Sequence, residues 1–202
     1  MLKVYHHPRS TYARRVMIAL LEKHIPHEAV LVDMAAKEHK APQFLAKNPY
    51  GRVPVIDDGG FVLYESTAIL NYLEATHPTP ALVPSDPKGR ALVDMHMKLC
   101  DIQMGIHVGA IIFPRRFLKK DRWNLEAMDV AKAAIEAHLD ILRKTLAGKT
   151  YLVAEQFSLA DLAYLPFLQF LPLAEIDPPP VVRDWAARLL ERDSAKQTVP
   201  DL

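Results

Sequence analysis

Residues 48–66 combine backbone and side-chain groups that could hold a peptide-like ligand. Pro54 has no N–H to donate, so it belongs at the start or edge of a strand. A tight bend there could use a cis Val53–Pro54 bond, because X–Pro is the one peptide type in which cis is cheap. Val53 would then present its N–H and C=O sideways, free to pair with such a ligand as a strand would. Glu65 and Ser66 follow at a predicted helix N-terminus, which favours anions.

The same stretch predicts the elements that position these groups. Two short apolar runs, 53–56 and 61–64, are joined by Asp-Asp-Gly-Gly, which is typical of a β-hairpin. Asn48, Pro49 and Gly51 mark the loop before the hairpin. A run with helical spacing of apolar residues (Ile69, Tyr72 and Leu73) begins at Glu65.

The residues before this stretch alternate between strand and helix patterns. Residues 2–5 predict a strand, Ser10 is a good N-cap for a following helix, residues 28–33 predict a second strand, and 41–47 a short helix. The resulting order, βαβαββα, indicates a thioredoxin-type layout. The redox version of that layout carries C-x-x-C at the start of its first helix. Ser10 to Ala13 stand there without sulfur, which excludes disulfide exchange through protein cysteines at this position.

The rest of the chain predicts a second, helical domain. Residues 77–88 are rich in proline and lack a clean period, as expected of a linker. We therefore expect a thioredoxin-like α/β domain over 1–76, the linker over 77–88 and an all-α domain over 89–202. Helical patterns cover about 89–113 and 125–146, and a last amphipathic helix contains Val182, Trp185 and Leu189.

A small motif, Phe157 to Leu162, predicts how one helix of this second domain begins. Ser158 can cap the third helical amide, while Asp161 reaches back to the N–H of the cap residue. Phe157 and Leu162 stand at the positions of a hydrophobic staple. We interpret the motif as a folding and stability device. Pro166 lies inside the same helix and is expected to kink it.

Composition narrows the class of protein. Among 202 residues, 25 basic and 24 acidic side chains nearly balance, so nothing indicates nucleic acid or a membrane surface as a partner. A single cysteine, Cys100, excludes an internal disulfide framework and suits a reducing compartment. No apolar leader or membrane-spanning run is present, so we expect a cytoplasmic protein. No metal-ligand pattern is predicted.

The ordered motifs resemble the cytosolic glutathione transferase family, closest to its phi-like, serine-type members and related bacterial forms. The family carries N-P-x-G-x-V-P followed by E-S-x-A-I, and this chain has 48-NPYGRVP-54 and 65-ESTAI-69. Further matches are Arg14-Arg15-Val16, the segment Glu38-His39-Lys40 and the signature 159-LADL-162. Arg52 departs from the pattern, because the close group usually has glutamine there.

The resemblance implies that Ser10 is the catalytic residue. Glutathione must lose its thiol proton to become a nucleophile, and a hydroxyl donor aimed at sulfur stabilises the thiolate. The alternative is that Ser10 is only a helix cap. Thr11, Tyr12 and Tyr5 are rivals for the catalytic role, although Tyr5 also matches an aromatic packing position.

The resemblance also assigns the groups that would hold the glutathione peptide. His39 and Lys40 would meet the glycine carboxylate, Val53 beside Pro54 would bond the cysteinyl backbone, and Arg52 could strengthen carboxylate binding. Glu65 would meet the γ-glutamyl ammonium, and Ser66 its carboxylate. Two of these assignments also have a simpler alternative when taken singly. His39 and Lys40 could be a solvated pair of charges in a loop, and Ser66 could be a helix cap.

The electrophile site is the least defined part of the expectation. Its candidates are side chains with apolar or ring character, for which core packing is the competing interpretation: Tyr12, Met104, His107, Ile111 and Phe117.

The function implied is addition of the glutathione thiolate to an electrophilic small molecule, or glutathione-dependent peroxide reduction, in detoxification. Glutathione would be a co-substrate, no cofactor would be covalently bound, and the resemblance implies a homodimer. The alternative is a non-catalytic ligand carrier or interaction module of the same fold.

Overall fold

The computed structural model describes residues 1–200 and divides the chain into two compact units. The first contains residues 1–82 together with the segment that begins at Asp193. The second contains Val83–Arg192. Each unit has its own hydrophobic core and is described by itself.

The first unit is built on a four-stranded mixed sheet. Its strands are β1 (Leu2–His6), β2 (His27–Leu31), β3 (Val55–Asp58) and β4 (Phe61–Tyr64), in the spatial order β2-β1-β3-β4. β1 pairs with β2 in parallel and with β3 antiparallel, and β3 and β4 form the antiparallel hairpin. Val4, Val55 and Ile56 on the two central strands are fully buried. The predicted thioredoxin-like layout is confirmed.

Three helices accompany the sheet: α1 (Thr11–Glu22), α2 (Pro42–Leu45) and α3 (Ser66–Thr76). α1 packs against α3 and buries an apolar stripe that includes Val16 and Leu20. Glu38–Lys40 forms a single 3₁₀ turn ahead of α2. These helices begin close to the residues where the sequence placed them, because the caps and apolar spacing that start them are local signals.

The second unit is helical throughout. Its five helices are α4 (Pro87–Leu99), α5 (Ile106–Phe117), α6 (Leu125–Thr145), α7 (Leu159–Leu168) and α8 (Pro180–Leu190). A π-helical segment, Cys100–Gly105, joins α4 to α5 without a break. Cys100 is fully buried there and its Sγ donates to the carbonyl of Ala163 at 3.3 Å. No described helix is long and apolar enough to cross a membrane.

The motif at the start of α7 has the predicted capping-box geometry, with Ser158 and Asp161 as its two members. Asp161 Oδ2 accepts from the backbone N–H of Ser158 at 3.1 Å and from its hydroxyl at 3.0 Å. Its other oxygen, Oδ1, accepts from the N–H of Leu152 and from Trp185 Nε1, each at 3.0 Å. Asp161 is therefore more than a cap, because it also ties a loop and α8 to α7.

The C-terminal segment differs from its expected place in the helical domain. A further helix, α9 (Asp193–Gln197), follows α8 and packs on α1 in the first unit. Arg14 Nε donates to the carbonyl of Thr198 at 2.7 Å, and Ser194 Oγ donates to the Glu22 carboxylate. The physical reason is that the buried guanidinium of Arg14 needs a partner from outside its own helix. The helix that contains Trp185 is therefore not the last.

Candidate functional site

Ser10 caps the first helix and still has a proton to donate. Its Oγ accepts from the N–H of Ala13 at 3.2 Å, and its backbone is extended, with φ −85° and ψ 114°. Capping uses one lone pair of the hydroxyl, so the O–H remains available to a second acceptor. The side chain is half-buried, so a ligand can reach it. The cap and the proposed catalytic donor are therefore compatible roles for one residue.

Tyr5, a rival to Ser10, lies in an aromatic packing position. Its ring meets Phe44 edge-on, with centroids 6.2 Å apart, and Lys47 Nζ lies 5.0 Å from its centroid. Both rings belong to the core beside β1 and β3.

His6, at the end of the same strand, has its pKa lowered by burial and then by the charges of His7 and His27.

The Val53–Pro54 peptide is cis, as the sequence suggested. Val53 is nearly buried, at 8% exposure, and β3 begins two residues later at Val55. Within residues 1–200, neither the N–H nor the C=O of Val53 takes part in a backbone hydrogen bond. One donor and one acceptor are therefore open to an extended ligand.

Asn48 fixes the loop that leads to Val53. Its side chain is buried, and Nδ2 donates to the carbonyl of Arg52 at 2.8 Å. Its Oδ1 accepts from the N–H of Tyr50 at 3.0 Å. The Asn48 amide therefore hydrogen-bonds backbone groups of both Tyr50 and Arg52. The Arg52 side chain is exposed. This network holds the backbone just before Val53.

The turn that contains His39 and Lys40 is pressed against the same loop. Lys40 Nζ donates to the carbonyl of Tyr50 at 3.2 Å. Gly51 has φ +59°, and a Cβ built on it would lie 2.6 Å from the carbonyl oxygen of His39. His39 Nδ1 is buried, and it has no hydrogen-bond partner among residues 1–200. Burial, then the charges of Lys40 and Lys37, lowers the pKa of His39.

Glu65 and Ser66 form the start of α3. Glu65 is exposed and has φ +71°, a backbone conformation that residues other than glycine rarely adopt. Such strain is typical of sites where a side chain or amide must be held in place. Ser66 is 5% exposed, and its Oγ accepts from Arg15 Nη1 at 3.3 Å.

The strand register places these groups at one end of the sheet. Tyr5 pairs with Val55, and Val55 pairs with Tyr64. The loops that follow β1, precede β3 and follow β4 therefore leave from the same edge, and they carry Ser10, Val53 and Glu65 respectively. The edge offers a hydroxyl donor, an open backbone pair and a carboxylate beside a helix N-terminus.

Two family models match the chain: the glutathione S-transferase N-terminal domain over residues 4–81 and the glutathione S-transferase C-terminal domain over residues 104–193. The chain belongs to the glutathione S-transferase family. Glutathione S-transferase F7 of Arabidopsis thaliana is 34% identical, over 98% of this chain and 99% of its own length. A crystal structure of glutathione transferase F2 from Populus trichocarpa has a TM-score of 0.89 and 29% identity, covering 98% of this chain and 97% of that one.

A bacterial member of the glutathione S-transferase family has been solved with its ligand. It is a glutathione transferase homologue from Sulfitobacter with bound glutathione, at a TM-score of 0.84 and 27% identity. It covers 98% of this chain, and this chain covers 96% of it. The resemblance stated from the motifs is therefore confirmed for the family and for the fold.

The electrophile candidates of this glutathione S-transferase family member differ in exposure. Met104 is fully buried and Ile111 is 2% exposed, both inside the helical unit. His107 is half-buried, and Phe117 is 55% exposed beside Phe113, with ring centroids 5.3 Å apart. Tyr12 belongs to the other unit, where Arg15 Cζ lies 5.0 Å from its ring centroid. Core packing fits Met104 and Ile111, and the electrophile site stays a prediction.

Three supporting residues of this family member were given no function at the site by the sequence analysis: Arg15, Asn48 and Gly51. Arg15 was visible as a charge inside the apolar stripe of α1, and it is fully buried. Asn48 and Gly51 were interpreted only as loop formers, because their partners are fixed by the fold and not by spacing. Within residues 1–200, no group of three or more histidine, cysteine or acidic side chains is arranged to hold a metal ion.

Proposed function

We propose that this protein is a glutathione transferase that binds glutathione along the sheet edge and activates its thiol with Ser10. The observation that carries the proposal is the open N–H and C=O of Val53 at the same sheet end as the Ser10 cap. The cysteinyl residue of glutathione would pair with Val53 as an added strand. Its sulfur would then lie on the side of the sheet end from which α1 begins.

Ser10 would lower the thiol pKa by donating its proton to the thiolate. A decrease of about two units corresponds to about 2.7 kcal/mol of differential stabilisation. A hydrogen bond to a charged group contributes roughly 1.5–3 kcal/mol, and the N-terminus of α1 adds positive potential. Ser10 acts as a donor in this scheme and forms no covalent bond.

The ends of the peptide would be held by complementary charges. His39 and Lys40 face the glycine carboxylate, and the Lys40 ammonium has donors left besides the one bonded to Tyr50. Glu65 faces the γ-glutamyl ammonium, and Ser66 faces the carboxylate on the same carbon. Arg52 is exposed beside this loop and adds a fixed positive charge for the peptide's carboxylates.

The activated thiolate would attack an electrophilic carbon, forming a C–S bond while a leaving group departs or the adduct takes up a proton. With a peroxide, the thiolate would instead take one oxygen as a sulfenic acid and release an alcohol. A second glutathione would then give the disulfide and water. Detoxification in a reducing, cytoplasmic setting is part of this proposal, since glutathione stays reduced there.

A homodimer is also part of the proposal. Apolar side chains are exposed along α4 and the helical segment that follows it, at Leu92, Met95, Ile102 and Ile106. Their spacing places them on neighbouring turns, and a contiguous exposed apolar surface is typical of an interface.

An ultraviolet pH titration of bound glutathione, following the thiolate absorbance, tests the central claim. The wild-type protein should bind glutathione and lower its thiol pKa. Ser10→Ala should return the thiol pKa of bound glutathione most of the way to its value in free glutathione. The affinity for glutathione should be largely kept. Thr11→Ala removes the neighbouring hydroxyl and should leave the pKa low. Ser10→Asp keeps a good cap but offers only an acceptor, so the thiol pKa should rise. An unshifted pKa in the wild type would favour a ligand carrier.

A further inference from the structure

Arg15 is a charged side chain in the interior of the first unit. It lies on α1 among apolar residues and is fully buried. Its Nη1 donates to Ser66 Oγ at 3.3 Å, across the packing of α1 on α3. Burying a guanidinium costs free energy unless it is hydrogen-bonded, because the charge is removed from water. The hydrogen bond to Ser66 is therefore the contact to interpret.

The polarity of this hydrogen bond fixes what Ser66 can offer to a ligand. A guanidinium carries only donors, so the Ser66 oxygen must be the acceptor. One lone pair of the hydroxyl is thereby engaged, and its proton points away from Arg15. A carboxylate carries only acceptors and is the natural partner for that proton.

We propose that Arg15 is a positioning residue that sets Ser66 as a donor and so makes the site selective for the γ-glutamyl α-carboxylate. This inference rests on the proposed function, because it takes glutathione as the ligand at Ser66. Arg15 itself does not touch the ligand. It acts through the orientation of one hydroxyl, and the ligand class it favours is a γ-linked amino acid with a free α-carboxylate.

The test compares glutathione with γ-aminobutyryl-cysteinylglycine, which lacks that carboxylate and keeps the amine, the thiol and the glycine end. Calorimetry would give both dissociation constants for each protein. A hydrogen bond to a charged group contributes roughly 1.5–3 kcal/mol, so the wild type should prefer glutathione by about tenfold or more. A uniform loss of affinity for both ligands would indicate only a structural role.

Two substitutions at Arg15 separate polarity from packing. Arg15→Lys keeps a side chain with donors only, and the preference for glutathione should persist. Arg15→Gln offers a donor and an acceptor, so Ser66 is no longer forced to donate, and the preference should fall below about threefold. Thermal unfolding would check that both variants fold. If Arg15→Gln does not fold, a lost preference in Arg15→Lys overturns the proposal and a retained one supports it.

The adjacent Arg14 supplies the matched control. It is 2% exposed, lies on the same helix, and donates to the carbonyl of Thr198. Arg14→Gln should lower stability and leave the preference between the two ligands unchanged. In a Ser66→Ala background, Arg15→Gln should have no further effect on the preference. If Arg15→Gln discriminates between the two ligands as the wild type does, only the role of Arg15 is overturned. If the wild type binds neither ligand, the proposed function is overturned.

Discussion

The imidazole Nε2 of His138 lies 2.9 Å from the hydroxyl oxygen of Tyr164 inside the helical unit. The two rings are stacked with their centroids 5.7 Å apart, and neither side chain is more than 3% exposed. Burial first, and then the charge of His96, lowers the pKa of His138 to about 4. His96 is itself buried, and its pKa is lowered by burial and by Lys149. Both imidazoles are therefore neutral in the folded protein near pH 7.

Acidification should destabilise the helical unit through these histidines. In the unfolded chain each imidazole gains a proton near its usual pKa of about 6.5, whereas His138 in the folded protein resists until about pH 4. The unfolded state therefore binds more protons between these values, and stability is lost as the pH falls from about 6.5 towards 4. The slope from one such group is at most about 1.4 kcal/mol per pH unit.

Chemical denaturation at a series of pH values measures this slope. His138→Gln cannot titrate, so the difference in stability between wild type and variant should shrink as the pH falls from 6.5 to 4. A constant difference between wild type and His138→Gln would contradict the assignment.

Loss of Asp161 should cost more than loss of an ordinary helix cap. Asp161→Ala would leave Leu152 N–H and Trp185 Nε1 buried without their acceptor, besides removing the bonds to Ser158. Each buried donor left unsatisfied costs roughly 1–3 kcal/mol. We expect the free energy of unfolding to fall by about 3 kcal/mol or more, measured by urea denaturation.

Asp86 provides a matched comparison for that variant. It is exposed and caps α4 by accepting from the N–H of Gly89 at 2.9 Å. Asp86→Ala should cost about 1 kcal/mol. Equal losses for the two aspartates would mean that the bonds from Leu152 and Trp185 contribute little to stability.

Gly51→Ala should weaken glutathione binding without changing the thiol pKa. Its Cβ would lie 2.6 Å from the His39 carbonyl and 2.9 Å from Lys40 Nζ, so the turn proposed to hold the glycine carboxylate must move. Ser10 lies in a different loop and should keep its function. We expect the dissociation constant to rise about tenfold, the loss of roughly one charge-assisted hydrogen bond.

Gly59→Ala separates this clash from backbone strain. Gly59 has φ +60°, nearly the same as Gly51, and no atom of residues 1–200 lies within 4 Å of the position that an added Cβ would take. Both alanines therefore suffer a similar conformational penalty in stability, of about 1–2 kcal/mol, because Cβ crowds the backbone carbonyl at positive φ. Calorimetry should find glutathione affinity unchanged in Gly59→Ala. A similar loss of affinity in both variants would refute the role of the close approach at Gly51.

Local signals account for the parts of the fold that the sequence predicted. The hairpin at 55–64, the cap at Ser10 and the capping box at Ser158 each depend on residues within a few positions of one another. Turns and helix caps depend on residues this close in sequence, so their patterns can be recognised without knowing the fold. The sequence allowed a cis bond at Val53–Pro54 but left the isomer open, and the structure has it cis.

Contacts between distant parts of the chain explain what was missed. Arg15 meets Ser66 across 51 positions, and Arg14 meets Thr198 across 184. A buried arginine in an apolar stripe signals that a partner exists but not which one. For the same reason the predicted helical domain, 89–202, included the residues of α9, because a short helical pattern does not reveal that it packs on α1.

The only thiol of the chain is Cys100, and it is fully buried in the helical unit. A folded sample should therefore consume almost no thiol reagent, and the colour developed in a glutathione assay would report the substrate alone. The same residue becomes reactive when the π-helical segment opens. Its rate of alkylation at increasing denaturant would thus follow unfolding of the helical unit, with no need to introduce a cysteine by mutation.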